Sequence, residues 1–522
     1  MSRLGKKIWK ITAASLATLV ILLALGVAIF RIVEPMVPEY RHQAEQWAGA
    51  MLGLPVEIDR LDLRWAILGP EIMLQGIRLL DPESGNAIIA ADEINVGVSL
   101  VAVAMGNPLE PRYITLVGPD IVINRSPQGR MSLAGWMLPE PDPQFDWRVQ
   151  LRSVAKLGEI RIEDANVHWV DESKVLPAIS ATDLNVQFKS SGDMHELSGD
   201  FSLKNELHGD ITFALIANGD AGTPETWQWQ ASLDAKNLPV AFFQQRFMPR
   251  KDGSIIGEFK TTLQASGSGS AVSLVTGDAR IAKLQFVESS PGLFAVRRDA
   301  PKAKNLNTKF ALILQDGDWN LEVEHLRIAR GRRDPRATLL SARLSGEDKS
   351  LLTLRAETAN TDLADVQSLA AWFIHPESEY SELTTLSLEG ALTEMNLFVD
   401  LTDGLDRKWS VNGSFSDIGF EPWRNLPGIR NLGGSVTANQ EKGEVRVETT
   451  DFHVYFPELF RGPLPANTLS AELNWESTPE HWQILLDRVE FENTDASVRG
   501  HGRINIPRAG CAPQVDIKAW LT

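Results

Sequence analysis

From Pro55 onward the chain alternates apolar and polar residues with a period of two. Ile94, Val96, Val98 and Leu100 alternate with Glu93, Asn95, Gly97 and Ser99, and Leu184, Val186 and Phe188 alternate with Asp183, Asn185 and Gln187. The pattern returns at Ile211, Phe213 and Leu215, at Trp227, Trp229, Ala231 and Leu233, at Phe310, Leu312 and Leu314, at Trp319, Leu321 and Val323, and at Trp482, Ile484 and Leu486. Successive side chains of a strand point to opposite faces, so each run predicts a strand with one apolar and one wet face. Turn signals fall between the runs: Asp81-Pro82 with Gly85, Gly106-Asn107-Pro108, Gly118-Pro119, Gly192-Asp193, Asn218-Gly219-Asp220, Asp316-Gly317 and Lys442-Gly443, with another near Pro479. Short reversals of this kind predict a mostly β fold, an antiparallel meander. Period-two faces ordinarily close on one another as a sandwich core. A sheet that curls without closing would instead leave them lining a groove, and the pattern is the same for both.

The first fifty residues follow other periods. Arg3, Lys6, Lys7 and Lys10 precede an uncharged apolar run from Ile11 to Phe30. Twenty helical residues at about 1.5 Å each span about 30 Å, the hydrocarbon core of a bilayer, whereas a cleaved signal has roughly 7 to 15 apolar residues. Basic flanks stay cytoplasmic. The expectation is a retained single-pass anchor whose topology is set by Arg3, Lys6, Lys7 and Lys10, with everything after Arg31 exported; cleavage near Ala24, Gly26 or Ala28 is the competing reading. From Pro38 to Leu52, Tyr40, Ala44, Trp47, Ala48 and Met51 fall at helical spacing and predict an amphipathic helix, docked on the adjoining domain or lying on a membrane.

Farther on, a strand leads into an apolar helical stretch twice, at Val240 to Met248 and at Leu363 to Phe373, a loose repeat of about 120 residues. The expected layout is residues 1–33 as cytoplasmic tip and anchor, 34–53 as amphipathic helix, 54–145 as a first β region and 146–522 as a repetitive β region.

Charge and chemistry narrow the function. The net charge is −17, and setting aside the four basic residues of the tip leaves the body more acidic still, a poor match for nucleic acid or for a phosphate-rich surface. Cys511 is the only cysteine, which excludes intrachain disulfides and Cys-based zinc sites. No G-x-S-x-G, H-E-x-x-H or phosphate-binding loop occurs, and Ser266-Gly267-Ser268-Gly269-Ser270 reads as a flexible turn. His195 with Glu196 and His208 with Asp210 read as solvated loop residues, and Glu322 with Glu324 as carboxylates sharing a wet strand face. No catalytic residue, cofactor or metal is expected.

Leu52-Gly53-Leu54-Pro55-Val56-Glu57-Ile58 after the anchor, Ala91 to Val98, Ile114 to Ile121 and Gln128 to Leu133 together resemble the opening of an AsmA-like protein. Pro427 to Gly434 and Asp451 to Phe460 are most similar to the YhdP branch of that superfamily. The resemblance covers nearly the whole chain and implies a Gram-negative envelope protein of the bridge-like lipid carrier type. That means an inner-membrane anchor, a periplasmic antiparallel sheet curled into an apolar groove, phospholipid as cargo moving toward the outer membrane, and a protein partner in the periplasm or outer membrane. Family members are more than twice as long, so the β region to 522 is expected to be incomplete. On this reading the lipid-facing residues are Ile94, Val96, Val98, Leu100, Ile211, Phe213, Leu215, Phe310, Leu312, Leu314, Trp319, Leu321, Val323, Trp482, Ile484 and Leu486. The alternative is a periplasmic scaffold or regulator that binds protein partners and carries no lipid.

Overall fold

Where the chain alternates, it is extended. The computed structural model describes residues 28–522 apart from some single residues and the segments 67–68, 100–110, 138–146, 173–177, 243–252, 289–303, 331–336, 348–349, 368–385, 403–407, 424–426, 458–460 and 508–511. Almost all of the apolar run at 11–30 therefore lies outside the described residues, as do Leu100 and Cys511. Among the described residues no helix is long and apolar enough to cross a membrane. Two compact units form, Met1–Leu233 with Gly267–Ala271, and Asp234–Ser266 with Val272–Thr522.

In the first unit the strands are β1 (Val56–Ala66), β2 (Gly69–Leu80), β3 (Ala87–Val98), β4 (Pro111–Val117), β5 (Asp120–Arg125), β6 (Met131–Leu133), β7 (Trp136–Met137), β8 (Glu159–Asp171), β9 (Ile179–Ser191), β10 (Met194–Lys204) and β11 (Gly209–Asn218). Two helices accompany them, α1 (Arg41–Leu52) and α2 (Trp147–Lys156). Neighbours from β1 to β4 and from β8 to β11 pair antiparallel. The expected meander fails once, because β4 and β5 both lie parallel to β8. Parallel strands need a crossover, and the chain between them contains the β6–β7 hairpin and α2.

Gly118-Pro119 is accordingly not a reversal. The register Ile114 to Ile160, Val117 to Glu163 and Asp120 to Asn166 runs straight through it. Gly118 takes a φ of 62° and its N–H donates to the Glu163 carbonyl at 2.9 Å, while the Pro119 carbonyl accepts from Asn166 N–H at 2.8 Å. A residue without a Cβ and one without an N–H kink the strand and leave its ladder in step.

Helix α1 is tied to β1 by charged side chains on backbone groups. Arg41 Nη1 donates to the Ile58 carbonyl at 2.9 Å, and Ile58 N–H donates to Glu45 Oε1 at 3.0 Å. Burial pushes the Glu45 carboxyl up, but the Ile58 N–H together with His42 and Arg41 outweighs it and holds the pKa below its ordinary value. Of the expected stripe, Ala44 and Ala48 are half-buried and Tyr40 is exposed. Tyr40 ends a 3-10 turn, Glu34–Tyr40, where α-helical spacing does not hold.

The strands β12 (Gln228–Pro239), β13 (Gly253–Ser268) and β14 (Ala271–Glu288) have residues in both units. Of the stretch expected as a flexible turn, Ser266 to Ser268 complete β13 and only Gly269-Ser270 turn; the Trp229 ring lies over Gly267, and its Nε1 donates to the Gly269 carbonyl at 3.0 Å. The second unit continues with β15 (Asn305–Gln315), β16 (Asp318–Ala329), β17 (Thr338–Glu347), β18 (Ser350–Asp362), β19 (Glu389–Asp400), β20 (Lys408–Phe420), β21 (Gly428–Asn439), β22 (Lys442–Tyr455), β23 (Leu464–Ser477), β24 (His481–Glu492), β25 (Ser497–Pro507) and β26 (Gln514–Leu521). Each from β14 onward pairs antiparallel with the next.

The β15–β16 turn is Asp316-Gly317 as expected, both with positive φ, the geometry that matches strand twist in a two-residue hairpin. The β21–β22 turn sits earlier than expected, at Gln440-Glu441, because Asn439 Oδ1 accepts from the N–H groups of Glu441 and Lys442, both at 2.9 Å. Both expected helical stretches begin, at Val240 and at Leu363, and most of each lies outside the described residues. Val240 packs with Ile255, Leu284 and Ile328 in a buried cluster flanked by Phe259, Ile281, Leu306 and Leu326. At the other helical start Arg330 Nη2 meets Asp362 Oδ2 at 2.5 Å and Asp365 Oδ2 at 3.1 Å, and the Asp365 side chain is buried.

Candidate functional site

Residues directly opposite on paired strands share a face, so the registers show which apolar residues stand together. In the second unit one row runs Gly277, Phe310, Val323, Ala342, Ala356, Leu397, Val411, Ala438, Gly443, Trp475, Ile484, Ile504 and Val515, from β14 to β26 without a polar residue. A second row joins Val275, Leu312, Leu321, Leu344, Leu354, Val399 and Trp409. A third joins Leu392, Phe415, Gly434, Val447, Ala471, Val489, Gly500 and Ala519.

The first unit repeats the arrangement. Leu63, Ile72, Val96, Ile114, Ile160, Phe188, Leu197 and Leu215 form one row across β1, β2, β3, β4, β8, β9, β10 and β11. Leu61, Leu74, Ile94, Leu116, Ile162, Val186, Gly199 and Phe213 form the next.

Four of these five rows contain residues singled out from the sequence; the row from Leu392 to Ala519 contains none. Phe310, Val323 and Ile484 share one, Leu312 and Leu321 another, Ile94 and Phe213 a third, Val96 and Leu215 a fourth. Leu314 faces Trp319, Ile211 faces Phe201, Trp482 faces Ile506 and Leu486 faces Leu473. Val98 faces Pro111 after a register shift. Apart from Leu100, every one of these sixteen is half-buried and none is buried. Single-strand reading missed most of their neighbours, Leu397, Val411 and Trp475 among them, because alternation gives a face but not a register.

Glycines were missed for a different reason, since they read as breakers. Gly199, Gly277, Gly434 and Gly443 are row members on which the rings of Phe213, Phe310, Phe415 and Trp475 lie; a Cβ built on each would sit 2.8, 3.2, 3.0 and 2.1 Å from those rings. Aromatic side chains covering cross-strand glycines pin register. Two cavities are centred on rows. Both open behind the rows, between side chains of the opposite face: one of about 890 Å³ is flanked by Arg355, Glu357, Asn396, Asn412, Thr437 and Glu444, and one of about 610 Å³ by Arg161, Asn185, Gln187, Ser198 and Asp200.

The opposite face is polar. Glu357, Asn396, Asn412, Thr437, Glu444, Asn474, Leu485, Arg503 and Asp516 make the row behind the long apolar one. In the first unit Arg64 Nε donates to the buried Glu71 at 2.5 Å, and Tyr113 Oη donates to the same carboxylate at 3.0 Å; burial and that bond push the Tyr113 hydroxyl up. Beside it Arg161 Nη2 and Gln187 Nε2 donate to Glu159 Oε1 at 2.8 and 2.6 Å. Burial raises the Glu159 pKa, but Arg161, Gln187 and Lys189 outweigh it and leave the group below its ordinary 4.5.

No group of His, Cys, Asp and Glu among the described residues could hold a metal. Glu322 is taken up by Arg343 at 2.7 Å. His195 is no loop residue: it is buried in β10, stacked on Trp227 at 4.6 Å, with Nε2 donating to the Gly219 carbonyl and Nδ1 accepting from Ser190 Oγ, both at 2.9 Å. Its nitrogens are used up by the fold.

The molecule thus offers long apolar surfaces backed by charge, with no reactive cluster among the described residues. No curated protein and no solved structure matches the chain. A family described as YhdP protein matches residues 1–522, end to end, and on that match the chain belongs to the YhdP family.

Proposed function

We propose that this YhdP-family chain is a membrane-anchored envelope protein that carries phospholipid, the acyl chains lying on the apolar rows and the head groups staying in water. The observation that supports this most is the combination of continuity and partial burial: a row of thirteen apolar positions crosses β14 to β26, and its large side chains are half-buried except Val515, which is exposed. An acyl chain loses about 0.8 kcal/mol for each CH2 left in water, so two chains of about sixteen carbons oppose free diffusion by on the order of 20 kcal/mol. A row with no polar step removes that barrier along its whole length.

Anchoring comes from the run Ile11 to Phe30, held with its N-terminus in the cytoplasm by Arg3, Lys6, Lys7 and Lys10, which puts the strands in the periplasm. The proposal is tested by extracting the full chain in mild detergent and identifying bound lipid by mass spectrometry. Phospholipid is expected in the parent protein and should be depleted severalfold by Phe213→Asp or Ile484→Asp. A chain that copurifies with no lipid, or variants that retain all of it, would refute the carrier.

A further inference from the structure

Four large apolar side chains stand in the open at the start of the first unit: Ile32 is 68%, Met36 49%, Tyr40 52% and Trp65 40% exposed. Trp65 belongs to β1, and the alternation Leu61, Leu63, Trp65 puts it on the apolar face near the strand's end. Leu63 and Leu61 are the first members of the two eight-strand rows. Phe30 meets Trp65 edge-on, with ring centroids 5.4 Å apart and planes at 90°. Phe30 is also the last residue of the uncharged apolar run that begins at Ile11. The run, the Phe30–Trp65 contact and the β1 face therefore follow one another with no polar break.

That continuity selects the occupant of the patch. A run of twenty uncharged residues needs a hydrocarbon environment, and side chains within ten residues of its end sit at the depth of head groups, where Trp and Tyr are favoured. The exposed charges around the patch, Arg31, Arg60 and Arg64 against Glu34 and Glu39, are of both signs, so attachment would be apolar and not electrostatic.

We infer that Ile32, Met36, Tyr40 and Trp65 are seated in the head-group layer of a phospholipid bilayer, and that Phe30 and Trp65 form the sill over which acyl chains reach β1. The sill rests on the carrier reading above; the seat does not.

The test uses the full chain with Cys511→Ser and a single new cysteine, labelled with an environment-sensitive fluorophore and reconstituted in phosphatidylcholine vesicles. With Met36→Cys, spin-labelled lipid quenches the fluorophore at least twofold, and with Met194→Cys, at a position 47% exposed, it does not. An unquenched label at position 36 on vesicle-bound protein overturns the seat. For the sill, a photo-crosslinking residue is placed at Leu63 or at Leu215, the two ends of one row. Trp65→Ser lowers lipid adducts severalfold at both, and Trp65→Phe, which keeps a ring against Phe30, restores them. Full adduct yield in Trp65→Ser overturns the sill alone. Absence of adducts at both positions in the parent chain refutes the carrier reading and the sill with it, while quenching alone decides the seat.

Discussion

Two regions of the second unit use the same residue types to different ends. Val240, Ile255, Leu284 and Ile328 are 8%, 5%, 4% and 5% exposed, a packed core. Phe310, Val323, Leu397, Val411 and Ile484 are as apolar and stay half-buried. The difference is what lies opposite. At Val240 the chain leaves the sheet in a helical turn that closes over β13, β14 and β16. Among the described residues, each strand from β15 to β26 packs chiefly on the strands beside it. Period-two alternation therefore states that a face is apolar and leaves open whether the protein itself covers it.

The comparison breaks most sharply under an inserted charge. Ile328→Asp should bury an unpaired carboxylate and cost several kcal/mol, comparable with the roughly 5–15 kcal/mol stability of a domain. Ile484→Asp or Leu312→Asp keeps water at the new group and should shift the urea midpoint far less, with trypsin resistance retained. Equal losses would show the rows to be packed like the core.

The second helical start gives a test of intermediate size. Arg330→Ala takes their shared cation from the Asp365 and Asp362 carboxylates and should cost about 3 kcal/mol, against under about 1 kcal/mol for Arg343→Ala at its exposed pair with Glu322. Thermal unfolding of both variants measures the contrast.

Within the rows, Gly443→Ala forces a methyl to 2.1 Å from the Trp475 ring and should destabilise by about 1–3 kcal/mol. Trp475→Leu in the same chain should recover part of that loss, which a double-mutant cycle would read as a positive coupling.

The smallest effect belongs to the polar face. Glu159 titrates below its ordinary 4.5, so its contribution is present above that pH and is lost as pH falls through the lower, folded value. Glu159→Gln should flatten the acid limb of the stability curve below about pH 4.5 and leave the neutral region nearly unchanged, as denaturation at stepped pH would show.

Much of this fold was legible in the chain. Alternation located the strands around Ile94, Phe213, Leu312 and Ile484, and Asp316-Gly317 located its hairpin, because both signals are local. Register was not legible, since it depends on which residue of a distant strand stands opposite, and so the rows themselves emerged only from the pairings. Gly118-Pro119 misled because the residues that end a strand are also those that bend one. His195 misled because the groups that satisfy it arrive from elsewhere, Ser190 from β9 and Gly219 and Trp227 from the connection between β11 and β12. Trp65 gave no signal at all: its meaning lies in Phe30 beside it.

The parallel pairing of β4 and β5 with β8 carries a consequence for how the chain assembles. Most strands find their partner in the hairpin just made, so they can add one after another as the polypeptide lengthens, with little loop closure to await. Ile114 must wait for Ile160, about 46 residues later, which at synthesis rates of about 5–20 residues per second is several seconds. During that interval β4 has one open edge beside β3. A slow step is thereby fixed near the beginning of the chain, and a variant that loosens Gly118-Pro119 should reveal itself first as a delay in refolding and only afterwards as a loss of stability.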